Sequence, residues 1–76
     1  MKEFIEYIAK RLVDRPEEVS VHEVIGRTST LCELKVGDGE LGKVIGKHGH
    51  TIRAIRTILS GVATKEGKRG VLDLLE

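Results

Sequence analysis

The chain has 76 residues, of which 39% are hydrophobic and 33% are charged. These proportions are typical of a soluble globular protein, and the length suits one small domain, residues 1–76, with too little chain for a deep catalytic cleft and a lid. No apolar run is long enough to cross a bilayer, and charged residues interrupt the N-terminal segment where a signal peptide needs an apolar core. We therefore expect a cytoplasmic protein with no membrane partner.

The first element in the chain is an amphipathic helix. Residues 2–14 repeat apolar side chains at helical spacing, with charged side chains between them. Pro16 disfavours helical geometry at the residue before it, so this helix should end near Asp14.

Two strands are predicted next. Residues 19–25 and 30–36 are rich in β-branched side chains and alternate in polarity. The four residues between them have the composition of a hairpin turn, so the strands should pair antiparallel. Val21 and Ile25 are expected on the same face of the first strand, and Cys32 is expected to be a small buried residue of the second.

Two more helices and a last strand complete the chain. Residues 40–45 form a short apolar helix, which Asp38 or Gly39 can cap. A longer helix is predicted from residue 51 to about residue 65, and after a glycine-rich connection residues 71–76 form the last strand. The predicted order is α-β-β-α-α-β, which is an α+β fold.

The three strands should form one sheet with all three helices on one face. This arrangement is required because the other face of the strands is polar. The polar positions are Ser20, His22, Glu33 and Lys35.

A tight turn, Gly46-Lys47-His48-Gly49, joins the last two helices. Glycines adopt positive φ and leave no Cβ between the chain and an approaching group. Thr51 can cap the helix that follows, and the free N–H groups of a helix start also suit an anion. Lys47 adds positive charge, and His48 adds a ring nitrogen that can donate a hydrogen bond. A phosphate group would find donors, charge and room at this turn.

Positive charge is concentrated around this turn. The net charge is +1, but residues 41–65 contain five basic side chains and no acidic one, so this window carries +5 and the remainder carries −4. A basic face on an otherwise acidic small domain is the electrostatic footprint of a nucleic-acid binder. On a single helix the same pattern also describes an ordinary solvated face.

The segment Val44 to Ile52 resembles the KH-domain signature, V-I-G-x-x-G-x-x-I, at every fixed position. In KH domains the GxxG loop clamps the backbone of about four single-stranded nucleotides. The element order is similar to that of the type II KH fold, and the length is similar to that of the bacterial one-domain KH proteins called the KH domain-containing protein A family.

The resemblance implies an RNA site around the loop. Gly46, Lys47, His48 and Gly49 would hold the sugar-phosphate backbone. Two apolar residues, Ile45 and Ile52, would form the floor under the bases, although both can equally be core. The basic residues at the rims would be Lys43, Arg53 and Arg56, with Arg27, Lys68 and Arg69 as weaker candidates at the ends. Arg56 can also be a solvent-facing charge, and Gly42 can serve only close packing.

The predicted binding is weak. Only Phe4 and Tyr7 are aromatic, and both lie in the first helix, so no aromatic platform supplies the roughly 1–3 kcal/mol per base that stacking gives. We therefore expect strong salt dependence, little sequence preference and a second copy or partner that adds surface. The resemblance implies a homodimer, or a heterodimer with a larger KH-containing protein, the family's protein B. In the family these complexes are linked to RNA chaperoning and, in some bacteria, to cell elongation and division.

Nucleotide-binding motifs match only in part. Gly37-x-Gly39-x-x-Gly42 fits the dinucleotide fingerprint literally, but the second parallel strand with its acidic end is missing. The stretch from Gly42 to Lys47 is one residue short of a Walker A loop, and His48 stands where Ser or Thr should bind magnesium.

Metal and catalytic sites are also poorly supported. His48, His50 and His22 lack a Cys or carboxylate set to complete a metal site. Nothing places a histidine beside Cys32 to activate it as a nucleophile. We expect no cofactor and no enzyme activity. The main alternative to RNA binding is a protein-interaction module whose groove or sheet binds protein.

Overall fold

A three-stranded mixed sheet is the frame of the structure, a computed structural model that describes residues 1–76. β1 (Ser20–Ile25) and β2 (Ser29–Lys35) pair antiparallel through the predicted hairpin. β3 (Arg69–Leu75) pairs with the other edge of β2, and this pairing is parallel. The central strand is therefore β2, and the predicted element order is confirmed.

Three helices cover one face of this sheet, as predicted. α1 (Lys2–Leu12) packs on β1 and β2, α3 (His50–Lys65) packs along β3, and the short α2 (Leu41–Ile45) contacts both of the other helices. Apolar side chains from all these elements meet in one core, and those that are almost completely buried are Ile5, Ala9, Cys32, Leu34, Val36, Val44 and Leu59. None of the helices has both the length and the apolar character needed to cross a bilayer.

Several element ends differ from the prediction. α1 ends at Leu12 because Val13 is already extended, and Pro16–Glu18 form a separate 3₁₀ turn. β3 begins at Arg69, where the backbone N–H donates to the carbonyl of Thr28 at 2.9 Å and so extends the parallel pairing.

Ile25 lies on the same face of β1 as the buried Val21, as predicted, but its own side chain is 65% exposed. Ile25 is the last residue of an edge strand, next to the hairpin turn, and the helices do not cover it there. Glu23 is the half-buried neighbour on the helix-covered side, and its carboxylate lies 3.9 Å from the Met1 amine.

The predicted burial of Cys32 is confirmed. Burial raises the pKa of its thiol above the usual value, and the negative charge of Glu23 raises it further, while the amino terminus has a smaller opposite effect. The thiol therefore stays protonated and behaves as a small core residue.

Candidate nucleic-acid interface

The turn between α2 and α3 is built from left-handed backbone. Gly46 has φ 78° and ψ 170°, His48 has φ 57°, and Gly49 has φ 75°. The N–H of Gly46 donates to the carbonyl of Gly42, and the N–H of Gly49 donates to the carbonyl of Gly46, both at 3.0 Å. These bonds give the loop, residues 46–49, one defined conformation.

The two glycines of the loop are needed for different reasons. Gly46 has a φ/ψ combination that is essentially restricted to glycine, and a Cβ there would lie 2.7 Å from the Cβ and 3.0 Å from the backbone nitrogen of Thr51. Gly49 has ordinary left-handed geometry, and a Cβ there would meet only the Arg53 guanidinium, at 3.8 Å. The protein itself thus fills the space beside Gly46 but leaves the space beside Gly49 open.

The predicted capping role of Thr51 is wrong. The N-cap residue of α3 is Gly49, and no side chain bonds to the first turn. The Thr51 side chain lies against Gly46 instead, because α3 begins at His50 and Thr51 is already inside its first turn. The N-terminal end of α3, with its positive dipole, carries no side-chain cap.

Basic side chains surround the loop. Lys47 and His48 are exposed, and neither is in a salt bridge. The Arg53 guanidinium donates to the carbonyl of His48 at 3.4 Å, which holds its charge beside the loop. The ring of His50 lies 6.0 Å from the ring of His48, at nearly a right angle. The charged groups of Lys47 and Arg53 therefore lie next to loop backbone that no side chain covers at Gly49.

Arg56 is exposed, but its side chain is held in place by a hydrogen bond. Its guanidinium donates to the carbonyl of Leu72 at 3.3 Å and so bridges α3 and β3. A cleft of about 210 Å³ lies at this bridge, and Ser60 and Arg69 line it together with Arg56. The cleft continues the basic surface from Arg53 along α3 towards the sheet edge. Of the weaker candidates, Arg69 therefore joins this surface, whereas Arg27 lies in the hairpin turn.

The other predicted site residues have mixed surroundings. Ile52 is only 7% exposed and belongs to the core, and the half-buried Ile45 packs against that core. The ammonium of Lys43 lies 3.0 Å from a carboxylate oxygen of Asp14. Lys43 therefore lies near the loop but already has a negatively charged partner.

Close packing, the alternative role considered for Gly42, is contradicted by the structure. A Cβ at this position would meet no atom within 4 Å. Gly42 and Lys43 form the exposed side of α2, while Val44 is buried on the other side. This side of the helix is bare backbone except for the Lys43 side chain.

Glu40 is a residue of this region that sequence reasoning missed. Its side chain is almost fully buried, and its carboxylate accepts hydrogen bonds from the backbone N–H groups of Asp14, at 2.8 Å, and Arg15, at 3.1 Å. The Arg15 guanidinium lies 3.8 Å away. Glu40 stands at the N-cap of α2, the place predicted for Asp38 or Gly39, but its side chain bonds to the turn after α1 instead.

The histidines are not arranged for a metal ion. His22 lies on β1, on the sheet face opposite the helices, whereas His48 and His50 lie at the loop. No group of three His, Cys, Asp or Glu side chains in the structure is suitably placed to hold a metal. The arrangement around the loop is instead suited to an anion.

Comparison with known proteins agrees with the geometry. A family model described as "KhpA/KhpB, KH domain" matches residues 2–74. The chain is 51% identical to RNA-binding protein KhpA of Chlamydia muridarum, over 100% of this chain and 97% of that protein. It is also 51% identical to RNA-binding protein KhpA of Clostridium perfringens, over 99% and 100%, and 49% identical to that of Aquifex aeolicus, over 100% and 96%. No solved structure matches. With a family match over nearly its whole length and relatives at about half identity, the chain belongs to the KhpA/KhpB KH-domain family.

Proposed function

We propose that this chain is an RNA-binding protein that holds single-stranded RNA at residues 46–49. The observation that carries the proposal is the loop itself, where Lys47 and His48 project without salt-bridge partners from backbone that Gly49 leaves uncovered. Phosphate groups of the RNA bind there, next to the uncapped start of α3. The names of the relatives, RNA-binding protein KhpA, support the same function.

The RNA path extends from the loop in two directions. Arg53 and Arg56 contact phosphates along α3, and the cleft beside Arg69 accepts the strand near β3. The bare side of α2 at Gly42 lets the sugar-phosphate backbone lie close to the helix, with Lys43 at its edge. Ile45 is half exposed to the site and supports a base, whereas Ile52 acts from below as core.

The protein acts as a single KH domain in the cytoplasm and binds without catalysis. Binding through phosphates with no aromatic stacking is weak, so we expect a homodimer, or a heterodimer with a larger KH-containing protein of the KhpB type. The family description, which joins KhpA and KhpB, supports the heterodimer. In such a complex the protein acts as an RNA chaperone, with effects on cell elongation and division.

The test is fluorescence anisotropy with a labelled single-stranded RNA at salt concentrations between about 50 and 200 mM. The wild type is compared with Lys47→Asp/His48→Asp. Aspartate tolerates the left-handed backbone at position 48, so the loop should keep its shape. The control is Lys2→Asp/Ser20→Asp, which changes the net charge equally at two exposed positions away from the loop.

Wild type and control should bind RNA, with an affinity that falls steeply as salt increases, and the loop variant should not bind. Circular dichroism checks that both variants are folded. If the folded loop variant binds as the wild type does, or the wild type does not bind at all, the loop is not an RNA site, and the interaction-module alternative would be pursued instead.

A further inference from the structure

Lys43 differs from the other basic residues of the proposed site, because it already has an anionic partner. Its ammonium lies 3.0 Å from a carboxylate oxygen of Asp14, whereas Lys47, Arg53 and Arg56 form no ion pair. Both side chains of the pair are substantially exposed, 44% for Lys43 and 74% for Asp14. An exposed pair of this kind contributes little to stability, so a competing anion can displace it.

The position of Asp14 is fixed by the core. The backbone N–H of Asp14 donates to the buried carboxylate of Glu40 at 2.8 Å. Glu40 immediately precedes α2, and its carbonyl accepts the N–H of Lys43 at 3.0 Å. One buried residue therefore holds both the turn that carries Asp14 and the helix turn that carries Lys43. The backbone of Asp14 is thereby held at the edge of the proposed site, with its carboxylate within reach of Lys43.

We propose that Asp14 sets the affinity of this site by competing with an RNA phosphate for Lys43. The proposal rests on the RNA-binding function above. In the free protein the Asp14 carboxylate occupies the place of a phosphate at the Lys43 ammonium. An RNA phosphate that approaches Lys43 must displace this carboxylate, and the displaced negative charge repels the phosphate. Lys43 therefore contributes less to binding than its place beside Gly42 and Gly46 allows.

The test is Asp14→Asn, which removes the charge, keeps the shape of the side chain and leaves the backbone bond to Glu40 in place. Anisotropy with the same labelled RNA should show affinity about two- to fivefold higher at low salt, the range that an exposed ion pair represents. If Lys43 gains a full phosphate contact, the slope of log K against log salt should become steeper by about 0.7. The matched control is Glu17→Gln, which removes one charge from an exposed side chain with no salt bridge.

A second background shows whether the effect passes through Lys43. In Lys43→Gln, the additional Asp14→Asn change should raise the affinity by clearly less than it does in the wild type, because only the repulsion between Asp14 and the phosphate remains. An equal gain from Asp14→Asn and Glu17→Gln, or a full gain in the Lys43→Gln background, would overturn the competition. Loop-dependent RNA binding that Asp14→Asn does not change would overturn this proposal alone, whereas no RNA binding by the wild type would overturn the proposed function as well.

Discussion

The substitution Gly42→Ala is the sharpest test of the RNA path, because it should raise the stability of the protein and lower its affinity for RNA. A Cβ at Gly42 would meet no atom within 4 Å, so the change introduces no clash in the free protein. Glycine in a helix costs about 0.5–1 kcal/mol relative to alanine, although the short α2 places the gain at the lower end. At roughly 4–8 °C per kcal/mol for a domain of this size, the Tm should rise by about 2–4 °C.

The effect on binding should have the opposite sign. If the sugar-phosphate backbone lies on the bare side of α2, a methyl group there pushes it away, and overpacking of a close contact costs about 1–3 kcal/mol. Even 1 kcal/mol lowers the affinity about fivefold. The measurements are a thermal melt followed by circular dichroism and RNA anisotropy on the same sample.

Gly61→Ala is the matched control. Gly61 also lies in a helix with no atom within 4 Å of a Cβ, but it is about three turns beyond the start of α3 and so is far from the loop. Gly61→Ala should raise the Tm and leave RNA binding unchanged. Equal RNA affinities for Gly42→Ala, Gly61→Ala and the wild type would show that the RNA does not lie on α2.

Three further predictions concern buried and strained positions. Glu40→Gln should lower the free energy of unfolding by about 1–3 kcal/mol, because the charged acceptor of two backbone N–H groups is lost; an unchanged urea midpoint would contradict this. Gly49→Asn should leave the Tm close to that of the wild type but weaken RNA binding. Gly46→Asn should instead lower the free energy of unfolding by about 1–3 kcal/mol. Equal Tm values for the two variants would refute the different structural roles of the two glycines. Burial raises the pKa of the Cys32 thiol, so the folded protein holds this proton more strongly than the unfolded chain does. The difference in stability between the wild type and Cys32→Ala should therefore be constant below pH 9.0, the ordinary pKa of the thiol, and the wild type should lose stability relative to the variant as the pH rises above 9.0. A difference in Tm that does not depend on pH would show that the thiol is not shielded from water.

Local patterns in the sequence were sufficient for most of the fold. Alternating polarity in residues 30–36 identified a strand whose inward side chains, among them Cys32 and Leu34, are buried. Two glycines at fixed spacing between apolar helices identified the loop, since such backbone leaves few other residues possible. These features depend on residues that are close in sequence, and hydrophobic periodicity describes such short-range patterns.

What the sequence did not predict depends on contacts between distant segments. The Asp14–Lys43 pair and the bonds of Glu40 join residues about 25 to 30 positions apart, and an acid before a short helix resembles an ordinary cap. Gly70 falls within the glycine-rich connection that the sequence predicts before the last strand, but it lies in β3. The absence of a side chain there lets the carbonyl oxygen of Leu59 lie 3.0 Å from the position of a Cβ. Only the three-dimensional structure shows these contacts between distant segments.

The parallel pairing of β2 with β3 has a consequence for how the protein folds. Ser29 pairs with Arg69, so α2, the loop and α3 all lie within one crossover connection. The two ends of such a connection must come together, at a cost in conformational entropy, before the strand pairing stabilises the protein. Parallel sheets are therefore slow to form. The cleft between α3 and β3 at Arg56 should therefore form late, together with the docking of β3. Substitutions in β3 should slow the recovery of RNA binding during refolding, even though they lie far from Lys47 and His48.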